Sequence, residues 1–305
     1  MQNGLKPAAP ARPALNPYLV VGLGIAGISF GSLFTRLAAA PPLAIAFYRM
    51  FLTTLLLAPF ALSRQGRAEL AGLSRAEIFS AAGSGFFLAL HFFTWIYSLE
   101  YTSVASSTVL VTMQPLFVVS GSWLFLREKV PAKSLPYGLL AILGSVVIGF
   151  SDFRVGGLAL AGDLLAFSGA LFIAVYVIIG RRLRQRLSLF PYIFLVYGVS
   201  ALLLLGFSLV AGAPLYPYPL PTWLCFLALA VVPTIFGHTL FNWALGYLKA
   251  AVVSVAFLGE PVGATILALL FLGEVPVLLQ VAGGLAILVG VYLFLASSRQ
   301  EEEAS

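Results

Sequence analysis

The sequence predicts an all-α membrane protein, with ten transmembrane helices arranged as two inverted five-helix repeats around a central cavity. Three observations predict it. Of 305 residues, 61% are hydrophobic and only 9% are charged, against about 25% charged in an ordinary soluble domain. Ten apolar stretches of near-spanning length run the length of the chain. Polar and small residues of the first half recur in the second at a nearly constant offset. Mean hydropathy is +1.02, so a soluble globule of this size would lack the polar surface to stay dissolved. Disorder is excluded for the opposite reason, because there is ample apolar mass to bury.

A helix needs about 20 apolar residues to cross roughly 30 Å of hydrocarbon. Stretches that meet or approach this are 17–37, 42–62, 77–99, 104–126, 134–151, 161–180, 190–211, 222–246, 250–272 and 277–296. The breaks between them carry charges, prolines or glycines: Pro41-Pro42, Arg64 to Arg75, Arg127 to Lys133, and the run Arg181 to Arg186. The stretches are apolar all round, without the period-2 alternation of barrel strands. Residues 1–16, rich in Pro and Ala, read as a disordered cytoplasmic tail, and 297–305 as a second, solvated one ending in Glu301 to Glu303. The first span is too long for the apolar region of a cleaved signal peptide, so none is expected.

Orientation follows from Lys and Arg, which stay on the cytoplasmic side. With the N-terminus inside, 14 of the 17 cations fall on inner segments and only Arg36 and Arg154 outside, while Arg49 lies within a span. Both termini are then cytoplasmic, in a bacterial-type inner membrane. The same distribution disposes of nucleic acid as a partner, because the net charge of +6 is spread over loops rather than gathered on one face. The single cysteine, Cys225, permits no intramolecular disulfide and no cysteine zinc cluster.

The repeat divides the chain into 17–151 and 161–296. At an offset of 146, Tyr101 meets Tyr247, Ala105 meets Ala251, Pro115 meets Pro261, Glu128 meets Glu274, Gly138 meets Gly284 and Gly144 meets Gly290. His91 meets His238 at 147 and Trp95 meets Trp243 at 148. Each unit holds five spans, so the second must sit upside down relative to the first. Inverted repeats of this kind let two half-structures exchange roles around a central site.

Several segments resemble the drug/metabolite transporter superfamily, EamA type. They are Ala46-Phe47-Tyr48-Arg49-Met50-Phe51-Leu52, then Ala244 to Ala251, and Leu258-Gly259-Glu260-Pro261-Val262 followed by Phe271-Leu272-Gly273-Glu274. The first half answers with Tyr101 to Ala105, Gln114-Pro115 and Leu126-Arg127-Glu128. The resemblance covers about residues 17–296. It implies a ten-helix basket around a central cavity that exports amino acids or other small metabolites. Gln114 stands where the second half has Glu260, so the two proline-flanking sites are chemically unequal.

Gly22-Leu23-Gly24-Ile25-Ala26-Gly27 matches a dinucleotide fingerprint, but the fingerprint needs an acid about 20 residues on. The first acid in the chain is Glu69, so these glycines read as close helix packing in lipid. Motifs for ATP hydrolysis, zinc proteolysis and serine esterase chemistry are missing, so neither an enzyme nor a cofactor is expected; the alternative reading is a polytopic membrane protein with a non-transport role, such as an intramembrane enzyme or a sensor. The expected partners are a small-molecule substrate, a coupling ion such as a proton, and the lipid bilayer.

Charges inside a span cost at least ~2.5–3.5 kcal/mol on insertion scales, so each needs a reason. Glu260 reads either as a proton-linked or substrate-binding carboxylate, or as a structural acid tied to backbone freed by Pro261. Arg49 reads as an anion-binding group, as a partner for Glu260 or a helix C-terminus, or as a residue that snorkels to the outer interface. His91 with Thr94 and Trp95, and His238 with Thr234 and Asn242, form two helical faces by i+3 and i+4 spacing. These faces are expected to meet at mid-membrane with Gln114 and Glu260 nearby, with Ser29 and Tyr176 as further wall candidates. Neither His has a second ligand at metal spacing. Pro115 and Pro261 are expected to act as hinges.

Overall fold

The computed structural model describes residues 13–102, 104–150, 157–273 and 275–304. Lys6, Arg12, Arg154 and Glu274, used above for orientation or for the repeat, lie outside the described residues. Every regular element among the described residues is helical. The principal helices are α1 Pro17–Leu37, α2 Pro42–Ala61, α3 Arg75–Tyr101, α4 Ser106–Leu126, α5 Leu135–Phe150, α6 Gly157–Arg184, α7 Leu189–Val210, α8 Leu220–Ala244, α9 Ala250–Leu272 and α10 Leu278–Ala304. Nine of these are long and apolar enough to cross a membrane. The exception, α5, has 16 residues and reaches about 24 Å, short of the ~30 Å hydrocarbon core.

Local chemistry starts the helices. Pro17 opens α1 behind Asn16, whose side chain accepts the Tyr18 N–H at 3.0 Å. Pro42 opens α2, where a missing N–H has no intrahelical partner to lose. Ser74 and Glu77 form a reciprocal capping box at the start of α3. The segment from Arg64, expected as a charged break, forms a short helix, Arg64–Ala71, capped by Ser63. Its Glu69 accepts the Ser188 N–H at 2.6 Å and the Ser188 hydroxyl, and so caps α7 from outside. At the other end, α10 continues past the expected limit at 296 to Ala304, so the C-terminal segment is helical.

The packing follows the repeat. Helix α2 lies against α7 and α5 against α10, each helix meeting its own repeat mate. Helix α3 packs on α6, and α8 packs on α1, the corresponding cross pairs. The α5–α10 contact is a backbone contact made by glycines that the repeat alignment had paired or neighboured. A Cβ on Gly144 would stand 2.6 Å from the Gly283 carbonyl oxygen, and one on Gly283 would stand 2.6 Å from that of Gly144. A Cβ on Gly290 would stand 2.6 Å from the Ala141 nitrogen. In lipid, where apolar side chains gain nothing by leaving the solvent, such close approach is what holds helices together.

Gly144→Val should therefore part α5 from α10 and destabilise the folded protein by about 1–3 kcal/mol. Gly206→Ala, where nothing lies within 4 Å of the added methyl, should keep stability or raise it by up to about 1 kcal/mol. Thermal unfolding in one detergent would compare them. Topology is checked separately: fluorescent fusions after residue 187 should report the cytoplasm, and those after 215 should not.

Candidate functional site

Four helices lose their regularity at the same depth. In α4, regular turns end at Val111, Thr112 and Met113 form a turn, and the helix restarts at Gln114 with Pro115 next. In α9, the first half ends at Ala256, a tight turn covers Phe257–Gly259, and the helix restarts at Glu260 with Pro261 next. The cause is the same in both: proline has no N–H for the carbonyl one turn back, so the ladder breaks there. Each break makes Gln114 or Glu260 the first residue of a half-helix, at its partially positive end. Helix α1 breaks at Ser29, whose hydroxyl donates to the Ile25 carbonyl at 2.8 Å.

Helix α8 widens instead of breaking. A π-helical segment, Ala230–Thr239, carries Pro233. The missing Pro233 N–H leaves the Leu229 carbonyl without its α-helical partner, and the Thr234 hydroxyl donates to it at 2.7 Å. The same hydroxyl accepts the Arg49 Nε–H at 2.9 Å. One threonine thus repairs a helix and holds a buried cation.

These irregular turns surround a cavity of about 20 Å³, room for about one water. Arg49 is only 1% exposed. Its guanidinium lies 4.3 Å from the centre of the Phe92 ring and 5.9 Å from that of Trp95. Glu260 lines the same cavity, and no hydrogen bond joins it to Arg49 among the described residues. His91 and Trp95 are parallel, with centroids 6.2 Å apart, and the His91 ring lies 6.4 Å from that of His238. The His91 Nδ1 is 3.0 Å from the Gly169 carbonyl, which can only accept. That nitrogen therefore carries the proton, and Nε2 is left as an acceptor.

Among the described residues, four buried polar atoms on cavity-lining residues have no protein partner: Arg49 Nη1, Trp95 Nε1, Gln114 Oε1 and His238 Nδ1. Each is costly to leave unsatisfied away from water, by about 1–3 kcal/mol and more for a charged group. Two are donors, one is an acceptor, and the imidazole nitrogen can be either. Together they form an incomplete hydrogen-bonding shell.

The structure brings His91, Trp95, Gln114, His238, Glu260 and Arg49 to one cavity, and it corrects four other expectations of wall residues. Thr94 turns its hydroxyl to the Leu90 carbonyl, 2.9 Å away. Ser29 packs on α9, where a Cβ on Gly263 would stand 2.0 Å from its hydroxyl oxygen. Asn242 and Tyr176 lie behind the wall: the Asn242 amide donates to the Tyr176 hydroxyl, to the Tyr197 hydroxyl at 3.0 Å and to the His238 carbonyl at 2.9 Å. Arg49 does not snorkel, because Thr234 and two aromatic faces hold it inside. Sequence reasoning missed Phe92. Phe92 stands beside Phe93 with nothing in the sequence to tell the two rings apart, and only the proximity of a buried guanidinium distinguishes one of them.

Toward the end that carries the arginine run, side chains seal the bundle. Arg184, grouped with the loop cations by sequence, turns inward, and its Nε donates to the Asn242 carbonyl at 2.9 Å. The Glu128 carboxylate accepts from Arg181 Nε at 2.6 Å and from the Ala250 N–H at 3.0 Å. Arg181 Nη1 also donates to the Leu245 carbonyl at 2.8 Å. The ends of α4 and α6 are thereby tied to the α8–α9 connection.

Comparison with known proteins agrees with this architecture. The sequence profile of the EamA-like transporter family matches residues 17–150 and 160–296, one match per repeat. An uncharacterized transporter of Archaeoglobus fulgidus is 26% identical over 267 residues, covering 86% of this chain and 90% of that protein. The pseudopaline exporter CntI of Pseudomonas aeruginosa is 29% identical over 258 residues, covering 83% of this chain and 85% of that protein. A crystal structure superimposes with a TM-score of 0.75 at 19% identity, over 94% of this chain and 98% of the other, and so shares the fold.

Thr234→Val should orphan Arg49 Nε and remove the hydroxyl donor from the Leu229 carbonyl. Stability should fall by about 1–3 kcal/mol, and Thr234→Ser should restore it. Thermal unfolding of the two variants against the parent checks this.

Proposed function

The chain belongs to the EamA-like transporter family and is an integral membrane transporter; from that premise, we propose that it exports neutral or zwitterionic amphipathic metabolites, larger amino acids foremost, by alternating access. The incomplete polar shell carries this reading. Donors on Arg49 and Trp95 suit a carboxylate. Acceptors on Gln114 and Glu260 suit an ammonium group. The rings of Phe92, Trp95 and the two histidines offer apolar faces for a side chain.

Phosphorylated cargo fits poorly. A phosphate calls for several cations, and the cavity offers Arg49 alone. The second buried arginine, Arg184, is committed to carbonyl oxygens.

The cavity is far below the ~300–1,000 Å³ of ligand pockets, so a solute enters only if helices move apart. The broken turns at Pro115 and Pro261 sit at repeat-equivalent positions and supply the place to bend. A cytoplasmic seal made of Glu128, Arg181, Arg184 and Asn242 would open and close in turn with the opposite end. The name of the Pseudomonas relative, an exporter, supports outward movement. The inner membrane, with both termini cytoplasmic, follows from the distribution of Lys and Arg.

Flux in sealed proteoliposomes across a panel of amino acids tests the proposal. Trp95→Ala and His91→Ala should each weaken transport of an apolar amino acid by about 1–3 kcal/mol with surface expression intact. Pro115→Ala with Pro261→Ala should slow flux while binding persists. Movement of sugar phosphates or nucleotide sugars instead of amino acids would overturn the substrate class. Unchanged flux in the double proline variant would reduce both prolines to packing features.

A further inference from the structure

The arginine run Arg181 to Arg186 resolves into three destinations. Arg181 binds Glu128, and Arg184 turns into the bundle. Arg182 and Arg186, four residues apart and so on one face of the chain as α6 ends, point to a separate groove. This groove has a volume of about 450 Å³, more than twenty times that of the central cavity. Along α6 its floor changes character: Val175, Ile178 and Ile179 are apolar, and Arg182 and Arg186 are basic. From Val175 to Arg182 the helical rise is about 10 Å. Phe125 and Leu126, at the end of α4, form an apolar side wall, and Phe125 is 70% exposed. The third wall is the first turns of α3, with Ser74, Glu77 and Ser80. Glu77 opposes an anionic ligand, but its carboxylate is engaged by the Ser74 N–H at 2.9 Å and hydroxyl at 2.6 Å, and its charge is partly balanced by Arg186.

We infer that this groove is a binding site for an anionic phospholipid of the cytoplasmic leaflet, with the headgroup phosphate at Arg182 and Arg186 and an acyl chain along Val175, Ile178 and Phe125. The order of apolar floor and basic rim matches the order of chain and headgroup at a cytoplasmic interface. Basic pockets between spans on that side are where anionic headgroups bind. The site adjoins the seal, because Arg182 lies between Arg181 and Arg184. A lipid there bears directly on the end of α6, whichever solute is carried.

The full-length protein in nanodiscs of phosphatidylcholine, with and without phosphatidylglycerol, provides the test, read by lipid-dependent thermal stabilisation and by native mass spectrometry of retained lipid. Phosphatidylglycerol should stabilise the parent and remain bound. Arg182→Gln with Arg186→Gln should weaken that binding roughly thirtyfold, the expectation for two interfacial cations. Ser80→Trp, which fills the groove from an exposed position and leaves both arginines in place, should abolish it. Arg64→Gln with Arg67→Gln, which removes equal charge from the neighbouring short helix, should leave it intact. All three variants should unfold like the parent in phosphatidylcholine alone. Equal loss in both double variants would mean diffuse attraction to the membrane and would overturn the site. Retained binding in Ser80→Trp, or full displacement by soluble glycerol phosphate, would equally overturn it, since either removes the need for the apolar floor.

Discussion

The architecture turns on one buried cation. Arg49 carries a charge that cannot be shed in a protein and lies where a charge is costly. Its surroundings meet that cost in pieces. Thr234 accepts from Nε, Phe92 and Trp95 offer their ring faces, and the Glu260 carboxyl lines the same cavity. Two of these pieces sit on irregular helices. Thr234 is placed by the π turn around Pro233, and Glu260 by the break before Pro261. Regular helices through these positions would present their hydroxyls and carboxylates at other angles. The distortions of α8 and α9 and the burial of Arg49 thus form a single arrangement, and the unpaired Nη1 is the part it leaves open.

The sequence revealed much of this because the informative residues are chemically distinctive. Prolines, glycines and glutamates cannot stand in for leucine, so Pro115 with Pro261 and Gly144 with Gly290 exposed the repeat through an otherwise uniform apolar background. Histidines are rare in spans, so His91 and His238 marked the cavity. Side-chain direction was harder to read. Asn242 and Tyr176 share helices with cavity residues, but they bond to each other behind the wall. Ser29 faces a glycine on α9, a contact that depends on where α1 breaks and leaves no trace in spacing. Arg184 looked like its neighbours in a basic run, yet carbonyl oxygens of the α8 end draw it inward. Helix α5 was expected over 134–151, and its described residues are helical over Leu135–Phe150, packed on α10.

The site and the seal are mechanically continuous. Asn242 touches the backbone of His238 on one side and receives Arg184 on the other. The π segment that positions His238 and Thr234 runs directly into Asn242. A solute that rearranges the rings around His238 would therefore act on the tyrosine–asparagine cluster one turn away. This gives a physical path from the cavity to the contacts at the arginine-run end of the bundle.

The central claim is that the unpaired donors and acceptors of the cavity are completed by the two charged ends of one solute. Equilibrium binding to the protein in nanodiscs, with an apolar amino acid compared against its decarboxylated amine and its N-acetyl derivative, tests it most directly. Loss of either end should weaken binding by about ten- to a hundredfold, the range for hydrogen bonds to charged groups. Equal affinity for all three compounds would show that the cavity does not read the zwitterion, and would contradict the account.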